Sequence, residues 1–277
     1  MEMCSDRKKL PVLIYGATAL GIAAALRLGR QAIVAEKTGF AAWEFAASFE
    51  PGVGPWKAVS PEGQALQSEL TRRAVLSETG THIQGAAPVF FHIAAQSGMD
   101  VRLWTRIAGL SEEHDGYTVT LWDSSGFHTV QVTAILDTSS SGEVVCGSGQ
   151  DSFCSLNAVL VPGEPNAVSP VCDSEEVQLI PGNFADEWYL RYRLDAADSP
   201  AAARKKLLSF WENRGEGLSQ WRIGAIAPLI SRRPPLGTME RKASNLIWQP
   251  SAGCRNLLEA FETGLITASG LKGEERE

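Results

Sequence analysis

The chain has 277 residues, 44% of them hydrophobic and 21% charged, with a formal net charge of −7. That balance suits one large globular domain or a nucleotide-binding domain with a smaller insertion, and the acidic excess without any Lys/Arg block argues against a nucleic-acid or anionic-membrane surface. The five cysteines (Cys4, Cys146, Cys154, Cys172, Cys254) are odd in number and form no C-x-x-C pair, which argues against a disulfide framework or a zinc site and for a reducing cytoplasm.

Arg7-Lys8-Lys9 followed by the uncharged residues 10–26 has the outline of a signal peptide. Gly16 and Gly21 interrupt that run where a turn belongs, and a second apolar run with an acidic end follows, so the segment reads as part of the fold. No other stretch approaches the ~20 apolar residues of a membrane helix. Residues 11–15 form a short apolar run bounded by glycine, as in a buried parallel strand, and residues 32–36 form a second, ending on Glu36. Between them the Ala/Leu-rich stretch from Thr18 to about Gly29 predicts a helix. Strand, glycine turn, helix and strand make a βαβ crossover.

Residues 40–60, rich in Gly, Pro and aromatics (Phe40, Trp43, Phe45, Phe49, Trp56), read as an irregular connection packed against something, the cofactor being one candidate. Helical character follows at 62–76 and 85–97. From Val101 to Asp137 the period changes to two, with turn-formers at Asp115-Gly116 and Ser124-Ser125-Gly126, which predicts a three-stranded antiparallel meander. A polar Gly/Ser-rich loop spans 139–157, strands are expected at 157–162, 176–180 and 187–194, and Asp198-Ser199-Pro200 announces a helix running to about Asn213. The last predicted helix lies near 254–268. Together these elements predict an α/β fold: a Rossmann-like parallel sheet with a β-meander and a small α+β insertion. Residues 1–144 and 246–277 form the expected dinucleotide-binding domain, and 145–245 a small substrate, cap or partner-binding region.

The motif with the most chemistry is Gly16-Ala-Thr-Ala-Leu-Gly21 between the first strand and helix, with Glu36 closing the next strand. Gly16 permits the tight turn, Gly21 lets the helix pack on the sheet, and the helix N-terminus faces a pyrophosphate. Glu36 stands where a carboxylate accepts from ribose hydroxyls, which disfavours a 2′-phosphate and hence NADP. Thr18 replaces the middle glycine of G-x-G-x-x-G.

YGATALGIAAAL resembles the opening of FAD-dependent oxidoreductases of the glutathione-reductase-like superfamily, in particular a bacterial group that opens YGATPAGIAAA, with Thr at the same place. Ile135-Leu136-Asp137-Thr138-Ser139-Ser140 is similar to that group's IDATG-like return to the flavin, and the small-residue spacing in 251–264 is similar to the superfamily's C-terminal helix facing the flavin. The resemblance implies FAD as cofactor and, as its binding residues, Gly16, Ala17, Thr18, Ala19, Gly21, Glu36, Lys37, Thr105, Asp137, Gly253, Asn256 and Leu257, with 101–105 beside the adenine. The sequence lacks the Gly-Gly pair expected after Glu36, carries Ser140 in place of a glycine, and is short between 141 and 245.

The leading reading is an FAD-dependent oxidoreductase taking a hydride from a small organic substrate, cytoplasmic, with neither nucleic acid nor membrane as partner. A second is a non-catalytic, flavoprotein-like subunit of a heteromeric oxidoreductase that binds a nucleotide or a partner protein; a third is an NAD-dependent dehydrogenase. No catalytic residue is assigned. His82 and His92 are weighed as acid–base groups, His92 more readily as a core-edge residue, while His114 and His128 sit at hairpin turns. Cys254, at a predicted helix start, is a candidate thiolate or a packing residue. Arg232-Arg233-Pro234-Pro235 reads either as an anion clamp or as a solvated loop, and Trp211 and Trp221 as pocket or core. No metal-ligand spacing is present, so chemistry falls to the cofactor.

Overall fold

The apolar run at Val12–Tyr15 (β1) lies between two parallel neighbours and is buried on both faces, by helices on one and by antiparallel strands on the other. The computed structural model describes residues 11–145, 152–243 and 245–271. After β1 the glycine turn leads into α1 (Ala19–Leu28), and the chain returns as β2 (Ala32–Ala35) with Val12 beside Ala32. Past a single helical turn, α2 (Trp43–Ala46), come α3 (Pro61–Arg72) and α4 (Ala86–Ser97). Helix α3 stops short of the expected residue 76 because Ala74 takes φ +55°, which a helix cannot continue through.

The alternating stretch from 101 to 137 divides between two sheets. Asp100–Arg102 (β3) and Ala134–Asp137 (β7) join the parallel sheet, and only Arg106–Glu113 (β4), Gly116–Asp123 (β5) and Gly126–Val132 (β6) form the meander. Trp104 at φ +54° turns the chain out after β3, and the Thr105 amide donates to Glu36 O at 2.8 Å. Period-two patterning marks strands but carries no information about which sheet each strand joins.

A second sheet follows: β8 (Phe153–Pro162), β9 (Val177–Pro181), β10 (Trp188–Leu194), then α5 (Pro200–Glu212), β11 (Trp221–Ile226) and β12 (Ser231–Arg233). Its order is β11-β8-β10-β9, all antiparallel, with β12 also on β8. Strand β8 starts four residues before the expected 157, because Cys154 and Leu156 point into this sheet's own core with Leu190, Ala203, Leu207 and Trp221. Ser199 caps α5, its Oγ accepting from Ala202 N, with Pro200 in the first turn.

The chain ends with β13 (Glu240–Ala243), β14 (Leu246–Trp248) and α6 (Leu257–Leu271). The main sheet is ordered β13-β14-β7-β1-β2-β3, with β13 its antiparallel member. Strand alternation splits its faces: Leu13, Tyr15, Ile33 and Ile135 meet Tyr117, Val119 and Leu121 of the meander, while Val12, Ile14 and Val34 meet α1, α4 and α6. This is an α/β fold with a Rossmann-like parallel sheet.

Helix α6 seats on α1 through a glycine. A Cβ on Gly264 would stand 2.2 Å from Leu20 O and 2.9 Å from Ala23 Cβ. Backbone cannot yield as a flexible side chain does, so Gly264→Ala should lower stability by about 1–3 kcal/mol, the usual cost of overpacking. Urea unfolding checks this; an unchanged midpoint would mean that the two helices are not in this close contact.

Candidate functional site

A helix start leaves amides without intrahelical partners, and at α1 they lie inside the protein. Those of Ala19, Leu20 and Gly21 are met by this chain's own side chains. Thr18, the N-cap, accepts from Gly21 N at 2.9 Å. Glu44 Oε1 accepts from Ala19 N at 2.8 Å and from Ser251 Oγ at 2.6 Å, and Ser251 Oγ in turn accepts from Leu20 N at 3.2 Å. In the preceding turn Ala17 N donates to Glu36 Oε2 at 2.8 Å, and Ala42 N donates to Ala17 O at 2.8 Å. Ala17, Thr18 and Ala19 are 0% exposed: the segment after β2 lies directly over the turn.

Glu36 is buried at the end of β2. Its Oε2 also accepts from the Trp43 indole at 3.0 Å, and its Oε1 accepts from Thr38 N at 2.7 Å. Lys37 pairs with Glu143 and stands 5.5 Å from the Trp43 ring centroid. Thr105 is buried, its amide on Glu36 O. Asp137 is buried at the end of β7, accepting from Ser139 N at 2.9 Å and Val144 N at 2.8 Å. At the other helix, Asn256 caps α6 by accepting from Glu259 N, and its amide group donates to Val53 O and Pro55 O. Val53 N donates to Arg255 O, so residues 52–55 lie across the start of α6. Gly253 and Leu257 are buried on either side of that crossing.

Burial sets the electrostatics. The Glu44 carboxyl is pushed up to about 7 by loss of water, opposed by its bonds from Ser251 and Ala19. Asp137 is likewise raised to about 6, and Glu36 is raised by burial against its bonds from Thr38, Ala17 and Trp43. Cys254 corrects an expectation: the helix starts three residues later, at Leu257, and burial raises the thiol to about 11, so it is a packing residue and not a thiolate.

The histidines do not gather. His82 joins a buried Glu187 at 2.7 Å and lies 5.4 Å from the Phe184 ring, joining α4's approach to the second sheet. His92 is exposed on α4 rather than at the core edge, and His114 and His128 bond carboxylates beside their hairpin turns. Trp221 is core, its indole donating to Val168 O, and Trp211 stacks against Arg214. Arg233 is not in a solvated loop: it reaches the buried Glu50 with Arg191. Sequence reasoning did not select Glu44, Ser251, Glu50 or Arg191. The available signal for Glu44 was the missing Gly-Gly pair, since Trp43 and Glu44 follow Glu36 where small residues were expected.

No family model matches the sequence, and no curated protein matches it. By structure the chain is similar to glycine oxidase from Geobacillus kaustophilus, at 14% identity and TM-score 0.66, covering 97% of this chain and 96% of that one. It is similar to p-nitrophenol 4-monooxygenase from Pseudomonas putida DLL-E4, at 13% identity and TM-score 0.63, covering 95% and 78%. Aklavinone-11 hydroxylase, solved with FAD and aklavinone, matches at 14% identity and TM-score 0.57, covering 95% and 63%. The structural neighbours are FAD-binding enzymes, and the chain shares their Rossmann-like fold.

The side chains around the turn do not fit that cofactor in this conformation. A pyrophosphate needs free amides and open space at the helix start, whereas here Glu44 and Ser251 hold the amides of Ala19 and Leu20, and Ala17, Thr18 and Ala19 have no accessible surface. The Glu36 oxygens that would take ribose hydroxyls already accept from two amides and an indole.

Glu44 predicts a pH dependence. Its folded value of about 7 exceeds the ordinary 4.5, so its contribution to stability is complete below pH 4.5 and is lost as pH rises through 7. Asp137 acts with the same sign. Glu44→Gln keeps an acceptor for Ala19 N and removes the charge, so the fall in urea midpoint between pH 5 and pH 8 should shrink, by up to about 3 kcal/mol of unfolding free energy. Parallel pH profiles for the two proteins would show that Glu44 does not titrate in this window.

Proposed function

We propose that this chain is a flavin-free protein on the FAD-dependent oxidoreductase fold, acting as a binding subunit and not as an enzyme turning over alone. The carrying observation is the Glu44 carboxylate on Ala19 N with the fingerprint turn fully buried. Ala41, Ala42, Phe45 and Ala46, from the segment that closes the turn, belong to the main hydrophobic core. Lifting Phe45 alone into water costs about 1.5–3 kcal/mol, besides the acceptors that α1 would lose. The closure bears equally on an NAD-dependent reading, which uses the same turn.

This reading keeps the narrower resemblance to the glutathione-reductase-like group, carried by YGATALGIAAAL and by Asp137 at the end of β7. It also keeps the division into a cradle-bearing part, 1–144 and 246–277, and a substrate or partner part, 145–245. A soluble, cytoplasmic setting accords with it; among the described residues no helix is long and apolar enough to cross a membrane.

A second reading, an oxidoreductase that takes a hydride from a small organic substrate onto FAD, is favoured by one observation, the near end-to-end fold match to glycine oxidase. It requires the segment around Trp43 and Glu44 to leave the turn. The absorption spectrum of freshly purified protein, before and after incubation with FAD and gel filtration, separates the two. A colourless protein that retains no FAD is expected. Stoichiometric yellow flavin, or substrate-dependent bleaching of it, overturns the flavin-free reading in favour of the second.

A further inference from the structure

The two guanidiniums at Glu50 are not balanced by it. Arg191 on β10 is 6% exposed; its Nη1 donates to Gln178 Oε1 at 2.5 Å and its Nη2 to Glu50 Oε1. Arg233 at the end of β12 reaches the same Oε1 at 3.5 Å and donates to Cys254 O at 3.2 Å. One carboxylate thus serves two buried cations through a single oxygen, and both Arg191 Nε and Glu50 Oε2 are left without a partner. Burial lowers the Arg233 value, with the Glu50 charge opposing that shift and the neighbouring Arg191 charge adding to it. The next acid, Glu259, is taken by Arg255 at 2.7 Å.

Both arginines line a cleft of about 390 Å³ together with Gln178, Val53, Phe153 and Leu236. Gln178 turns its oxygen to Arg191, leaving its amide N–H groups for another acceptor. Val53, Phe153 and Leu236 are large apolar side chains left exposed at the cleft. A floor with one excess positive charge, fork-shaped donors and apolar walls matches a molecule with one carboxylate and an apolar body.

We propose that this cleft is a binding site for a small organic monocarboxylate, its carboxylate held by Arg191 and Arg233 and its apolar part against Phe153, Val53 and Leu236. Binding supplies the missing counter-charge, and the cleft lies at the small end of ligand pockets. The proposal goes beyond the flavin-free reading and does not depend on it, because its readout is carboxylate binding and not flavin.

The test is titration of the full chain, by ligand-observed NMR and calorimetry, with benzoate, neutral benzamide and phenyl phosphate as probes. Saturable binding of benzoate is expected, with benzamide weaker by about tenfold or more, since it lacks the charge that strengthens hydrogen bonds from the two guanidiniums. Arg233→Gln should weaken benzoate by a similar factor and leave benzamide unchanged. Leu236→Asp, on an exposed cleft side chain, places a negative charge there without touching the core; it should weaken benzoate while keeping the urea midpoint, and it carries the test if Arg233→Gln does not fold. Equal binding of benzoate and benzamide, no saturable benzoate binding, or benzoate binding indifferent to Leu236→Asp would overturn the proposal. Phenyl phosphate binding tighter than benzoate would overturn the monocarboxylate assignment.

Discussion

The amides at the start of α1 impose the constraint around which this molecule is arranged. A tight turn between a parallel strand and a helix aims several N–H groups, with the partial positive charge of the helix end, into space beside the sheet. Those donors must be satisfied if they are buried. Here Glu44 and Ser251 reach them from opposite ends of the chain and bond each other at 2.6 Å. That single junction fixes the segment after β2 against the turn and fixes the passage from β14 into α6. The closeness of α1 and α6, which leaves no room for a Cβ at Gly264, belongs to the same arrangement.

Three buried acids sit around this turn, and three buried acids would ordinarily oppose a fold. They are tolerated because nearly every oxygen faces a donor: Glu36 takes Ala17 N, Thr38 N and the Trp43 indole, and Asp137 takes Ser139 N and Val144 N. Glu44 is the weak member, with Oε2 buried and unpartnered. Burial raises its carboxyl to about 7. These acids therefore answer local backbone needs, whereas the arginine pair on the second sheet has more donors than acceptors. Among the described residues, buried side-chain atoms without a partner occur both at the turn, in Glu44 Oε2, and around the arginine pair, in Arg191 Nε and Glu50 Oε2.

The βαβ opening was legible because its signals are local: an apolar run, a glycine, a helix-forming stretch and an acid, all within 11–36. The Ser199-Pro200 helix start was legible for the same reason. The meander was legible as strands but not as sheet membership, because β3 and β7 alternate as the meander strands do. The filling of the cradle was not legible. Glu44 lies in a single helical turn inside a segment that patterning gives only as irregular, and its partner Ser251 is distant in sequence. The Arg191 and Arg233 pairing was hidden in the same way, since strands β10 and β12 are brought together only by their common neighbour β8.

The cradle and the cleft share one piece of chain. Trp43 and Glu44 meet Glu36 and α1, Glu50 a few residues on takes both guanidiniums, and Val53 lines the cleft while its amide holds Arg255 O. Phe45 anchors the stretch in the main core between these ends. Moving the segment far enough to free the α1 amides would therefore draw Glu50 away from two buried cations, leaving each without its nearest counter-charge, a cost of several kcal/mol for a broken buried pair. Closing the dinucleotide turn and holding the arginines in register are thus two consequences of one conformation. The stretch that removes the place for a pyrophosphate also builds a floor for a smaller anion.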